Sequence, residues 1–167
     1  MSKTKKPRKA YKPKQYDAAS ILNRVLMRAQ VLASTDALDN TQQQQLSIRN
    51  WASFDAIVNG AGDESHANDL VNAVNVAMVM AEAGLGREEI PAIRAAQKSV
   101  VEMGARHEKT GRFGFDGQGL QAMKLLLSIH DAQLESGDCT EGFLVKCIEE
   151  VKARIQRGQI ERLEEFA

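Results

Sequence analysis

Residues 70–84 read L-V-N-A-V-N-V-A-M-V-M-A-E-A-G, and from Val74 to Ala81 only Asn75 is polar. A helix apolar around most of its circumference is one surrounded by other elements. The stretch predicts a central, buried helix over about 65–83, with Ser65 as its N-cap and Gly84 and Gly86 closing it. Met78 and Met80 fit that core, and their flexible thioethers also suit an adaptable binding surface.

Working outward toward the C-terminus, a fourth helix opens at Arg87-Glu88-Glu89, acids suited to the positive end of the helix dipole, and tolerates Pro91 in its first turn. Ile90, Ile93, Ala96 or Gln97, Val100 and Gly104 trace its buried face, Gly104 permitting a close helix crossing. The loop G-R-F-G-F-D-G-Q-G follows, from Gly111 to Gly119. Asp116 is the expected cap of a fifth helix, about 117–135, with Leu120, Met123, Leu127, His130 and Leu134 on one stripe. Gly137 ends it, and Thr140 caps a sixth helix running to about Arg157 with Leu144, Ile148, Val151 and Ile155 on its face. Gly158 breaks the phase; Ile160, Leu163 and Phe166 resume it as an amphipathic end piece, 158–167.

Toward the N-terminus a second helix, about 38–59, carries Leu46, Trp51, Phe54, Ile57 and Val58, with Gln42–Gln45 as a solvated face and Gly60 and Gly62 at its end. A first helix, about 18–34, is expected to start at Asp17 and to bury Leu22, Val25, Leu26, Ala29 and Leu32. No segment alternates apolar and polar residues with β-branched enrichment, so no sheet is predicted. The expected fold is all-α: a single-domain bundle of about six helices over 16–157.

Composition agrees. Apolar residues make up 43% of the 167, aromatics only 5%, so Leu, Val, Ile, Met and Ala must fill the core. Cys139 and Cys147 match no common zinc spacing and read as reduced thiols of a cytoplasmic protein. No apolar run approaches a membrane span, and the N-terminus lacks the apolar stretch of a secretory signal.

The net charge of zero hides an asymmetry. Lys3, Lys5, Lys6, Arg8, Lys9, Lys12 and Lys14 put +7 into residues 1–15, against 15 basic and 22 acidic residues in the remainder. That tail also contains Pro7 and Pro13 and almost nothing to bury, so it is expected to be disordered. Its cations, with Tyr11 and Tyr16 for stacking, suit the phosphates of DNA or RNA. Engaging all seven would make affinity fall on the order of 10³-fold between 50 and 200 mM salt. A solubility element, or an arm for an acidic protein surface such as another copy's body, suits the same residues.

Other candidates weigh less. Arg106, Lys109 and Arg112 surround the Gly111–Gly119 loop, which leads into a helix N-terminus where anions bind. The loop lacks the Gly-Lys-Ser/Thr ending and the preceding strand of phosphate loops, and Phe113 and Phe115 read as pins onto the core. His130-Asp131 has the form of a phosphohydrolase metal pair, but only His66 and His107 remain to complete a ligand set, so no metal or cofactor is expected. Cys147 reads as an inert buried thiol, paired glutamates do not converge, and no basic recognition helix follows a short turn. The residues point to a protein that is not an enzyme.

Several segments carry a resemblance: the basic start, W-A-S-F-D-A-I-V-N-G (51–60), 70–84, I-R-A-A-Q-K-S-V (93–100), T-G-R-F-G-F-D-G-Q-G-L (110–120) and H-D-A-Q-L (130–134). In that order, over about 16–157, the chain resembles a loose group of small proteins from bacteriophages, prophages and other mobile elements of bacteria. Some carry the label Fis-type regulator, although the DNA-reading helix-turn-helix of such regulators has no counterpart here. The resemblance implies action by stoichiometric binding, to nucleic acid or to a host or rival protein, and assigns no functional residue.

Overall fold

The computed structural model describes residues 18–158, with side chains from Leu26 onward. The basic tail at 1–15, Tyr16, the Asp17 cap and the end piece beyond Gly158 lie outside the described residues, as do the side chains of Leu22 and Val25 of the first stripe. Six helices follow one another: α1 (Ala18–Ala33), α2 (Asn40–Val58), α3 (Glu64–Glu82), α4 (Ile90–Thr110), α5 (Gly117–Glu135) and α6 (Glu141–Gln156), with one 3₁₀ turn, Arg87–Glu89, leading into α4. Among the described residues there is no strand, only an isolated antiparallel bridge between Ala37 and Thr140. The chain is an all-α, single-domain bundle.

α3 is its axis. It packs against α2, α4, α5 and α6, and Leu70, Val74, Ala77, Met80 and Ala81 are fully buried. Fully burying each such Val, Leu or Met contributes about 1.5–3 kcal/mol, which is why the most apolar segment takes the centre. One face joins Phe54, Ile57, Ile93, Met103, Met123 and Leu126 in the main apolar cluster. The opposite face, with Val76, Val79 and Met80, joins Leu38, Leu134, Leu144 and Val151 in a second cluster.

Local chemistry sets two helix starts as expected, those of α5 and α6. Asp116 accepts the Gly119 N–H at 2.6 Å to open α5, and Thr140 accepts the Phe143 N–H at 3.1 Å to open α6. Asp39 and Gln42 form a capping box at α2. α3 departs from expectation: its N-cap is Asp63, not Ser65. The Asp63 carboxylate accepts the His66 N–H at 3.1 Å, and that bond foremost holds its carboxyl below the usual range. Ser65 lies inside the first turn. Gly60, at φ 75°, ends α2 in the left-handed region as expected.

Three further expectations are corrected. A Cβ at Gly104 would meet nothing within 4 Å, so that glycine makes no close crossing. The close approaches fall instead at Gly119, whose Cβ would lie 3.3 Å from Ser99, and at Gly142, whose Cβ would lie 2.6 Å from the Ser34 carbonyl oxygen. In α1 the main helical neighbour is α6, leaving Leu26 exposed. Val58, one position past buried Ile57, and Ile155, in phase with Val151 but in the last turn of α6, are also exposed.

Candidate functional site

Of the three cations near the glycine-rich loop, one is engaged within the fold. The Arg106 guanidinium donates to the Gly114 carbonyl at 2.9 Å, which fastens the loop to α4. Phe113 stacks on His107 with ring centroids 3.9 Å apart, and Phe115 stacks on Phe54 at 6.0 Å. Both phenylalanines therefore dock the connection onto the body. Lys109 and Arg112 are exposed on either side of Gly111. The α5 N-terminus that an anion would seek is taken by the Asp116 carboxylate.

His130 lies inside the bundle, 4% exposed, and burial holds its imidazole below the usual histidine range, against smaller opposing effects from Gln133 and Asp131. Asp131 accepts the Trp51 indole N–H at 2.8 Å, which ties α5 to α2. Among the described residues no three His, Cys, Asp or Glu side chains gather to hold a metal ion. Burial pushes both thiols, Cys139 and Cys147, up to about 11, so they stay protonated at neutral pH and are weak nucleophiles.

The structure instead brings together residues that sequence reasoning left apart. Between α4 and α6, floored by α3, runs an open cleft of about 290 Å³. Val71, Met78 and Val79 form its floor, Val100 and Val101 one wall, Val151 and Ile155 the other. It exists because α6 packs on α3 and α1 rather than broadly on α4. Polar groups stand at its edges. Arg154 bridges Glu82 at 2.6 Å and Glu150 at 2.9 Å, an arrangement that holds the Glu150 carboxyl below its usual range. Arg94 is exposed on the α4 side with no ion-pair partner among the described residues. Gln97 Oε1 is buried without a hydrogen-bond partner, and a buried unpaired acceptor is costly until a donor reaches it.

One signal for this cleft was present in the sequence. Val100 and Val101 are adjacent apolar residues on α4, and one helical stripe against α3 and α5 needs only the first. Gln133 was also missed: its amide donates to the carbonyls of Ala77 at 3.1 Å and Leu85 at 2.8 Å, pinning the turn after α3 to α5. No described helix is long and apolar enough to cross a membrane. Compared with protein-family models, with curated proteins and with solved structures, the chain matches none.

Proposed function

We propose that this chain is a non-enzymatic accessory protein of a bacteriophage or mobile element. It acts in the bacterial cytoplasm by stoichiometric binding to a protein partner, and inhibition of host defence or of nucleic-acid machinery is the expected consequence. The observation that carries the reading is the cleft over α3. Apolar floor and walls with charged and amide groups at the rim suit an amphipathic helix, whose anchors enter at positions i, i+3, i+4 and i+7. Enzyme chemistry draws no support from the candidate groups: Arg106 is engaged by the loop, and the thiols are held protonated.

Affinity capture from bacterial lysate tests this with three forms: the full chain, the chain lacking residues 2–15, and Val101→Glu. The expected result is one protein, retained near one-to-one by the first two and released by the third, whose circular dichroism stays helical. Retention indifferent to Val101→Glu overturns the reading.

A second reading is favoured by the seven cations of residues 1–15. There the chain is a regulator attached to DNA or RNA through its tail, and removal of residues 2–15 abolishes both salt-sensitive binding and activity. The same tail would also reach the acidic body of another copy.

A further inference from the structure

We infer that the cleft over α3 binds a small amphipathic monoanion, a medium-chain carboxylate whose head meets Arg94 and whose hydrocarbon chain lies along the apolar floor. This goes beyond the protein-partner reading and stands without it.

The first ground is that the cleft is sorted along its length. Its charged residues gather where α3 ends: Glu82 is the last residue of that helix, and Arg154 of α6 meets it at 2.6 Å. Arg94 belongs to the same end, because only residues 83–89 separate α3 from α4, and Arg94 falls in the second turn of α4. The two helices pack together and, joined by so short a connection, run antiparallel. Val101, two turns further along α4, therefore lies toward Val71, which stands about 16 Å from Glu82 at 1.5 Å per residue. Among the described residues no charge lines that end. Charge at one end and hydrocarbon at the other match a head and a tail.

Sign is the second ground. Arg154 is matched by Glu82 and Glu150, and Arg157 also pairs with Glu150 at 3.0 Å. Those four charges compensate one another, whereas Arg94 has no ionic partner among the described residues. One uncompensated guanidinium calls for one negative charge, and its planar fork matches a carboxylate. Gln97 lies one turn on from Arg94 and also lines the cleft. With its Oε1 buried, the amide leaves its NH₂ end as a second, neutral donor for the same head.

Size is the third. About 290 Å³ stands at the small end of ligand pockets, which start near ~300 Å³. A helix of about 10–12 Å diameter sends only side chains into such a space, whereas one hydrocarbon chain lies along it whole. A ligand seated there occupies the floor that a partner helix would use, so the two compete.

The test is a titration of the purified full chain with sodium decanoate, followed by the methyl resonances of Val71, Met78 and Val101. Saturable shifts are expected at these residues, with affinity rising roughly fourfold per methylene from hexanoate to decanoate. Decyltrimethylammonium, a cation with the same chain, should bind on the order of tenfold more weakly, because like charges oppose it. Arg94→Gln should weaken decanoate roughly threefold, the modest effect of an exposed ion pair. Val101→Glu, still helical by circular dichroism, should lose the titration. Absence of saturable shifts in the cleft overturns the proposal. Equal affinity for the cation, or an unchanged affinity in Arg94→Gln, overturns it too, because the head is then not recognised. Shifts confined to the exposed Leu26, Met27 and Ile48 also overturn it, because decanoate then only coats the surface. A failed lysate capture bears on the proposed function alone.

Discussion

The two apolar clusters share α3 yet are completed by different means. The main cluster, between α2, α3, α4 and α5, is filled by side-chain volume: Phe54, Leu70, Met123 and Leu126 are buried, and Trp51, Phe113 and Phe115 pack over them. The second cluster combines Leu38, Met80, Leu134 and Leu144 with the smaller Cys139, Cys147 and Val151, has Phe143 as its one aromatic neighbour, and is tied at one end by backbone. There the Glu141 N–H donates to the Asp36 carbonyl at 3.0 Å, the Leu38 N–H to the Cys139 carbonyl at 3.3 Å, and Gly142 slides under the end of α1. An aromatic plug covers its surroundings; a backbone clasp holds one point and leaves the adjacent surface open. The cleft lies between the two clusters, lined by Val71, Met78 and Val100 of the main cluster and by Val79 and Val151 of the second.

The comparison breaks first if the clusters respond alike to truncation. Phe54→Ala is expected to cost about 3–5 kcal/mol, and Leu144→Ala, on the thinner cluster, nearer 2 kcal/mol, read as the shift in urea unfolding free energy. Equal losses would mean that side-chain volume governs both.

Alkaline pH should act on the second cluster. Unfolded thiols ionise near 9.0 and the folded ones near 11, so the unfolded state releases protons first and stability falls as pH rises through that window. The expected loss is on the order of 2 kcal/mol per thiol, read by unfolding at pH 8 and pH 11, and Cys139→Ala/Cys147→Ala should remove it. At the acid end His130 gives the opposite slope. Its folded value lies below the 6.5 of the unfolded chain, so stability falls as pH drops below about 6.5, and His130→Gln should flatten that limb.

The clasp can be sharpened with glycines. Gly142→Ala places a Cβ 2.6 Å from one carbonyl oxygen and 2.9 Å from two more, and should cost about 1–3 kcal/mol by overpacking. Gly104→Ala, on the side filled by volume, meets open space in a helix and should stabilise by about 0.5–1 kcal/mol. Thermal unfolding of the two variants measures both. A comparably small effect is expected at a cap: Asp116→Ala should cost about 1 kcal/mol.

Much of this architecture was legible before any coordinates. Val74–Ala81 marks the axis, and the stripes through Met123, Leu127 and Leu134 and through Leu144 and Val151 mark two of its neighbours. Asp116 and Thr140 mark two starts. The start of α3 was misplaced because Ser65 and Asp63 are both good caps, and only the extended backbone at Asp63 selects between them. Beyond the extra apolar residue at Val101, the cleft was not legible, since Val71, Val101 and Ile155 are far apart in the chain and nothing local brings them together. Arg106 looked free to bind an anion because nothing in its own helix indicates that Gly114 folds back against it.

By itself the sequence determined the helices, their order, the burial of α3 and the contrast between a +7 leader and an acidic body. Those are consequences of residue type, 3.6-residue periodicity and local capping, all of which act within a few positions of chain. Tertiary structure alone decided which glycines touch backbone, which cations are already engaged, and where α4 and α6 fail to meet. Those depend on the summed volumes of side chains from separate segments, a quantity that exists only once the helices are packed.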